Sequence, residues 1–370
     1  MTRGFATKTW LLLGLWSTLA AASGLPATPA PQTSLISPWT QAASMSRYRY
    51  SHTATLLPSG KVLVTGGASS GGVTATTETY DPATNTWAPS ANLGVARSGH
   101  TATRLPSGRV LIVGGSTSTT VHASAELYNA ATNTFTATGA MVTARRNHKA
   151  VLLLSGQVLA VGGFGTTSYN SALRSAELYN PSTGRWTATG SLSTAAGTVT
   201  ATLLEDGRVL AINDDGVVAA AEVYTPSTGT WTRVSDPPAF SGHAAVRLDS
   251  GAVLATGQEQ YWYDSGAWLY FPEDDYWEYV SYANEARRRG HSLTLLPSGQ
   301  VLVARGTRNQ IGGSAELFDP DSWSLYVVGS DAATTGHTAT LLLTGGVLVV
   351  GGTSQEEPEW YSSAEIFTEP

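Results

Sequence analysis

Residues 52–67 read HTATLLPSGKVLVTGG, and close copies follow at residues 100–115, HTATRLPSGRVLIVGG, and at residues 337–352, HTATLLLTGGVLVVGG. In each copy apolar and polar residues alternate, stop at a turn that ends in glycine, and alternate again, which predicts two antiparallel strands. The turn glycine recurs at intervals of 44 to 51 residues, at Gly60, Gly108, Gly156, Gly207, Gly251, Gly299 and Gly345. The stretch is therefore part of a repeat that fills most of the chain.

Each unit contains two further short alternating segments, such as ETY at residues 78–80 and TWAP at residues 86–89. Seven units of four short antiparallel strands predict an all-β, seven-bladed β-propeller. Trp39 stands 13 residues before His52, as Trp87 stands 13 residues before His100, and the last unit stops after its third strand. We therefore expect the N-terminal strand to complete the C-terminal blade and close the ring.

The repeat resembles the kelch motif. Its markers in the first unit are Gly66 and Gly67, then Glu78, Tyr80 and Trp87, and the pattern returns, more loosely later, along residues 38–370. The resemblance implies a propeller of the galactose oxidase and kelch superfamily, and the leader described next suggests a secreted bacterial type. On this resemblance the double glycines and the Tyr and Trp positions serve the scaffold.

The start of the sequence has the layout of an export signal. Arg3 and Lys8 precede an apolar run at residues 10–22 that is too short to span a bilayer, so we predict a signal peptide at 1–22 and a Pro-rich linker at 23–37. The net charge is −6 with three lysines and no cysteine. We expect a secreted or periplasmic monomer that binds no nucleic acid and, once the signal is cleaved, does not insert into a membrane.

Two polar residue types recur at the same position in most units, and we call each set of equivalent residues a column. The histidines, all eight residues before the turn glycine, are His52, His100, His148, His243, His291 and His337. The glutamates are Glu78, Glu126, Glu177, Glu222, Glu316 and Glu365. Metal binding by the histidines is one interpretation. Ligands must lie about 2 Å from one ion, however, and equivalent residues on separate blades form a ring too wide for that, so we favour a repeated structural hydrogen bond.

A half-buried glutamate needs donors, and the arginines three residues before the column histidines, or the histidines themselves, are candidates. Each column has one vacancy, Val199 for histidine and Trp268 for glutamate, in successive units. We hypothesise that the histidine of one blade bonds the glutamate of the next and that Val199 and Trp268 replace one such pair.

Residues that all units share serve the scaffold, so functional residues are expected where a unit departs from the repeat. Unit five holds ten of the 33 aromatic residues between positions 261 and 282, and gap-free alignment of AWLYFPEDDYW with AELYNPSTGRW makes Trp277 its scaffold tryptophan. Its loop between strands two and three should share a face with the arginine-rich loops that enter strand one. The ligand-binding candidates on that face are Tyr261, Trp262, Tyr263, Arg97, Arg145, Arg146, Arg287 and Arg288. A self-packed aromatic cluster is the alternative.

Unit four replaces the double glycine by Asn213, Asp214 and Asp215. The two aspartates are weak Ca²⁺ candidates, with a plain turn as the alternative, and we predict no other cofactor. Galactose oxidase uses copper and a Tyr–Cys cross-link, which a sequence without cysteine cannot form. Sialic-acid epimerases use central acid and base residues, and no unique pair is recognisable here.

We therefore expect an exported, non-catalytic propeller that binds a glycan or protein partner. A carbohydrate-active, epimerase-like enzyme is the alternative, so the question of catalysis stays open.

Overall fold

The computed structural model describes residues 37–214, 219–237, 240–259, 265–282, 288–307, 314–330, 334–354 and 361–370. Over these ranges the fold is all-β, with seven four-stranded antiparallel sheets and one two-stranded hairpin, Ala68–Ser69 with Gly72–Val73. No helix in these ranges has the length and apolar character needed to cross a membrane. The predicted β-propeller is confirmed.

The first four blades each use four consecutive strands. Blade 1 comprises Thr53–Leu56, Val62–Thr65, Thr77–Asp81 and Thr86–Pro89, and blade 2 comprises Thr101–Arg104, Val110–Val113, Ala125–Asn129 and Thr134–Thr138. Blade 3 comprises Lys149–Leu152, Val158–Val161, Ala176–Asn180 and Arg185–Thr189, and blade 4 comprises Val199–Leu203, Val209–Asp214, Ala219–Thr225 and Thr230–Arg233. The second strands are buried throughout because they lie inside the sheet with a blade on each face.

Blade 5 comprises Phe240–Arg247, Val253–Glu259, Ser265–Phe271 and Tyr276–Tyr282, and blade 6 comprises Ser292–Leu295, Val301–Ala304, Ser314–Asp319 and Ser324–Ser330. Blade 7 takes Thr338–Leu341, Val347–Val350 and Ala364–Phe367 from the C-terminal end of the chain and Trp39–Ala42 from the other end. Trp39 pairs with Phe367 and Ala42 with Ala364. The predicted ring closure is therefore confirmed.

The blades form a ring around their first strands. Each first strand contacts the first strands of both neighbours, and the series closes between blade 7 and blade 1. Seven apolar clusters lie between the blades, one at each joint. The core is therefore divided into seven sandwiched layers, as expected for sheets packed face to face.

The repeated small residues and aromatic residues fit this packing. A Cβ added to Gly66 would lie 2.4 Å from the Arg97 carbonyl oxygen of the next blade, so the backbones meet too closely for any side chain. Tyr80 is fully buried and its ring centroid lies 5.0 Å from that of Trp87. The same pairing in blade 5 joins Tyr270 to Trp277, which confirms the alignment of that unit.

Two faces of the ring are named below. The loop face carries the connections between second and third strands and those between blades, such as residues 66–76 and 90–100 in blade 1. The turn face carries the short connections between first and second strands and between third and fourth strands, such as residues 57–61 and 82–85.

Candidate functional site

The column arginines bind the column glutamates of their own blade. Ion-pair distances between guanidinium nitrogen and carboxylate oxygen are 2.7 to 3.3 Å for Arg49–Glu78, Arg97–Glu126, Arg145–Glu177 and Arg288–Glu316. Arg97 is 0% exposed and also donates to the carbonyls of Gly114 and Ser124. Burial lowers the pKa of Arg97, and Glu126 opposes that shift.

Three of the arginines that the sequence places among ligand-binding candidates, Arg97, Arg145 and Arg288, belong to these buried pairs. Each holds the loop-face end of a blade by bonding the carbonyl of the second-strand glycine position and the glutamate. Their guanidinium groups bond the blade itself, so these three arginines do not belong to the exposed loop-face surface.

The column histidines bond hydroxyl groups of the preceding blade. Nε2 of His100 lies 3.0 Å from Oγ1 of Thr53 and 3.0 Å from Oγ1 of Thr65, and the other joints have Nε2-to-oxygen distances of 2.7 to 3.2 Å. Burial, and then the charge of the column arginine, lowers the pKa of His100 to about 3. Burial also lowers the pKa values of His52, His148, His291 and His337, so these imidazoles and that of His100 are neutral at neutral pH.

The hypothesis that histidines bond the glutamates of the next blade is wrong, because the histidines bond hydroxyls and five of the six glutamates bind arginines, while Glu222 accepts from Ser193. The two vacancies are independent of each other. Val199 takes the histidine position at the joint where Lys149 takes the hydroxyl position. Trp268 takes the glutamate position in the unit where Phe240 takes the arginine position.

Blade 7 obtains its arginine from blade 6. Thr334 occupies the arginine position of blade 7, whereas Arg305 occupies a glycine position of blade 6 with φ of 59°. The buried Arg305 side chain crosses the joint and donates to Thr334, to the Gly351 carbonyl and, at 3.0 Å, to Glu365. The smaller Thr334 leaves the space that the guanidinium fills.

Arg146 forms an aromatic cluster on the loop face. Its guanidinium carbon lies 4.9 Å from the ring centroid of Phe164 and 4.7 Å from that of Tyr169, and it donates to the carbonyls of Thr166 and Thr167. Tyr169 is 71% exposed. A cation held against two rings presents a rigid aromatic face to solvent.

This cluster borders the mouth of the central channel. A cavity of about 640 Å³ opens there, lined by the starts of the first strands of the blades. Asn147, next to Arg146, lines it, and so does Gly197, whose added Cβ would lie 2.4 Å from the Phe164 ring. The volume is that of a small-molecule site.

Several sequence candidates lie outside the described residues, namely Tyr261, Trp262, Tyr263, Arg287 and Asp215. Asp214 ends a described strand opposite Ala219, and its neighbour Asn213 donates to Thr194 and to the Ala195 carbonyl. Over the described ranges no three His, Asp or Glu side chains group as metal ligands. The Ca²⁺ hypothesis for Asp214 and Asp215 stays a prediction.

The turn face carries a second concave surface of about 660 Å³ between blades 5 and 6. Phe271 and Trp323 line it, and Trp323 is 40% exposed with φ of 53°, where the equivalent residues of blades 1 and 2 are Asn85 and Asn133. A bulky side chain with positive φ is uncommon. It provides an exposed aromatic residue on the face opposite Tyr169.

The sequence reasoning did not select Phe164 and Tyr169. The available signal was length, because the distance from Gly162 to Glu177 exceeds that from Gly66 to Glu78 by three residues. The added residues form the loop that carries Tyr169.

Comparisons with known proteins agree with the fold. The Kelch motif family matches residues 145–193, which cover blade 3 and its entry and exit. A solved structure described as a novel fungal alcohol oxidase of the AA5 family in complex with copper is similar, with a TM-score of 0.71 and 17% sequence identity. The alignment covers 90% of this chain and 77% of that chain. No curated protein matches significantly. The chain therefore carries a kelch motif within a seven-bladed propeller that is similar in fold to a copper alcohol oxidase.

Proposed function

We propose that this chain is a non-catalytic binding propeller that takes a glycan or protein ligand on its loop face. The observation that carries the proposal is the exposed Tyr169 ring, stacked on Arg146 at the mouth of the central cavity. Aromatic faces beside fixed polar groups bind sugar rings by stacking and hydrogen bonding and anchor protein partners. The unit-five residues Tyr261, Trp262 and Tyr263 are predicted to extend this face.

The lining of the cavity favours binding over catalysis. Among its described lining residues are hydroxyl and amide side chains but no aspartate or glutamate. Burial lowers the pKa values of His52, His100 and His148 there, and each bonds a neighbouring hydroxyl, so these three are poorly suited to proton transfer near neutral pH. Export through the signal at residues 1–22 to the periplasm or the medium, as a monomer, belongs to the same proposal.

A carbohydrate-active enzyme of the epimerase-like type is the second candidate. The observation in its favour is that the similar solved structure is described as an alcohol oxidase. Its description names copper, whereas a Tyr–Cys copper cofactor requires a cysteine that this sequence lacks.

A glycan array tests the proposal. We expect the protein without residues 1–22 to give specific glycan signals that Tyr169→Ala and Trp262→Ala reduce at least tenfold. Trp323→Ala is the matched control, because it removes an exposed aromatic ring from the turn face. Loss of signal with Trp323→Ala alone would move the site to the turn face. If no glycan on the array bound, the protein-ligand form of the proposal would remain. Chemical conversion of the bound sugar would favour the enzyme.

A further inference from the structure

Lys149 is the one charged side chain among the described residues that line the central cavity. It opens the first strand of blade 3 and remains solvent-accessible although protein surrounds the channel on all sides. Burial within the ring lowers the pKa of its ammonium group from the ordinary value for lysine. An ammonium in such a place is stabilised by a nearby negative charge.

The repeat explains why this ammonium is available. At five of the other six joints the residue in this position has a hydroxyl that bonds the histidine of the next blade, as Thr101 bonds His148 at 3.0 Å. At the joint between blades 3 and 4 the hydroxyl is replaced by Lys149 and the histidine by the apolar Val199. Among the described residues, none forms a hydrogen bond or an ion pair with the Lys149 ammonium.

The groups around it leave the positive charge uncompensated. His148, the neighbour of Lys149 in the chain, and His100 are kept neutral by burial, and the described cavity lining contains no carboxylate. A single charge in a recess with low-dielectric walls focuses its field on the opening and raises the local concentration of oppositely charged ligands. The cavity therefore selects for a negative group.

We propose that the central cavity binds a sugar acid, whose carboxylate pairs with Lys149 while the surrounding hydroxyls and the Asn147 amide bond its hydroxyl groups. The polar lining matches a polyhydroxylated ligand, and about 640 Å³ accommodates a small one. The inference rests on the glycan form of the proposed function and adds the charge class of the sugar.

Titration calorimetry with matched ligands tests the assignment. Galacturonate and galactose form one pair and glucuronate and glucose the other, so that the members of each pair differ at C6 alone. We expect each acid to bind at least tenfold more tightly than its neutral partner, with affinity falling as salt is added. Lys149→Met should remove this preference without changing the affinity for the neutral sugar, and Lys149→Arg should retain part of it.

Two controls separate this test from changes in folding. Lys61→Met removes an exposed lysine that pairs with Asp81 outside the cavity, and it should leave binding unchanged. Lys149→Thr restores the residue of blades 1 and 2 and should lose the preference as Lys149→Met does. Thermal melting of each variant shows that it is folded.

Equal affinity for acid and neutral sugar, or a preference that survives in Lys149→Met, would overturn the assignment. Neutral glycans bound on the array without uronate binding would overturn it while sparing the proposed function. Uronate binding that depends on Lys149 would support it even if the array gave no signal, and no binding in either experiment would remove it together with the glycan form of the proposed function.

Discussion

Blades 2 and 5 build the same four strands around different polar centres. In blade 2 the buried Arg97 pairs with Glu126 at 3.0 Å, and both side chains bond the backbone at the loop face. In blade 5 the sequence has Phe240 at the arginine position, and Trp268 occupies the glutamate position with its ring 5.0 Å from that of Tyr279. The same four strands therefore accommodate either an ion pair or aromatic side chains at these positions.

The difference shows which features specify a blade. Alternating apolar residues, the turn glycine and a tyrosine that faces a second aromatic residue, Phe135 in blade 2 and Trp277 in blade 5, are common to both blades, whereas both members of the ion pair are replaced in blade 5. A buried ion pair offsets its desolvation only while both partners are present, which fits the loss of both members in blade 5. Blade 4 has Ala196 at the arginine position and keeps Glu222, which accepts hydrogen bonds from Ser193 instead.

The largest effect is expected from removing a strand while leaving every polar column intact. Deletion of residues 37–46 takes away the fourth strand of blade 7 together with the buried Met45. Loss of these contacts and of the Trp39–Phe367 contact should lower the free energy of unfolding by roughly 5 kcal/mol or more, measured as a sharp fall in melting temperature.

Deletion of residues 23–36, the predicted linker, is the control and should leave melting unchanged. A melting temperature unaffected by loss of residues 37–46 would contradict the closure of the ring by its N-terminal strand.

The next largest effect is expected from breaking one ion pair. Arg97→Met leaves Glu126 buried without its cationic partner and should lower the free energy of unfolding by about 3–5 kcal/mol in urea denaturation. The double substitution Arg97→Phe with Glu126→Trp copies the residues of blade 5 and should cost less than the single change. A double variant as unstable as the sum of its parts would show that blade 5 depends on further local adjustments.

The smallest effect, measured as a change in unfolding free energy per pH unit, is expected from acid, and it separates the joints that have histidine from the one that lacks it. His52, His100 and His291 have pKa values lowered by burial to about 3, whereas the unfolded chain binds these protons near pH 6.5. Each therefore contributes stability that is present above pH 6.5 and is lost as pH falls toward 3, at about 1.4 kcal/mol per pH unit.

His100→Val copies the residue of blade 4 and should reduce this slope of unfolding free energy against pH by the share of one histidine. An unchanged slope between pH 6.5 and pH 4 would mean that His100 is protonated in the folded state.

Sequence alone predicted the strands, their order and the closure of the ring, because alternation and turn glycines are local signals that repeat seven times. It left open whether arginine or histidine serves the glutamates, since that depends on which side chains of adjacent strands meet. Hydrogen bonds between neighbouring blades could not be predicted from the sequence. The bond of His100 with Thr53, for example, depends on the rotation between two blades. The ligand-binding prediction for Arg97 rested on an exposed loop, yet its side chain points into the blade.

The substitutions that accompany Lys149 and Arg305 were visible in the sequence in principle. Val199 stands one repeat after His148, the neighbour of Lys149, and Thr334 follows Arg305 in the next unit. Neither substitution can be interpreted until the contacts of the position it occupies are known. Tyr169 lies in a loop of variable length, where the repeat gives no reference position.

The guanidinium of Arg305 limits how this ring can be rearranged by exchange of repeats. It is encoded in blade 6 but completes blade 7, where it bonds Gly351 and Glu365. A copy of blade 6 placed before a blade with its own arginine would bring two guanidinium groups to one carboxylate, and blade 7 placed elsewhere would have none. Blades 6 and 7 must therefore be inherited, duplicated or transplanted as one unit.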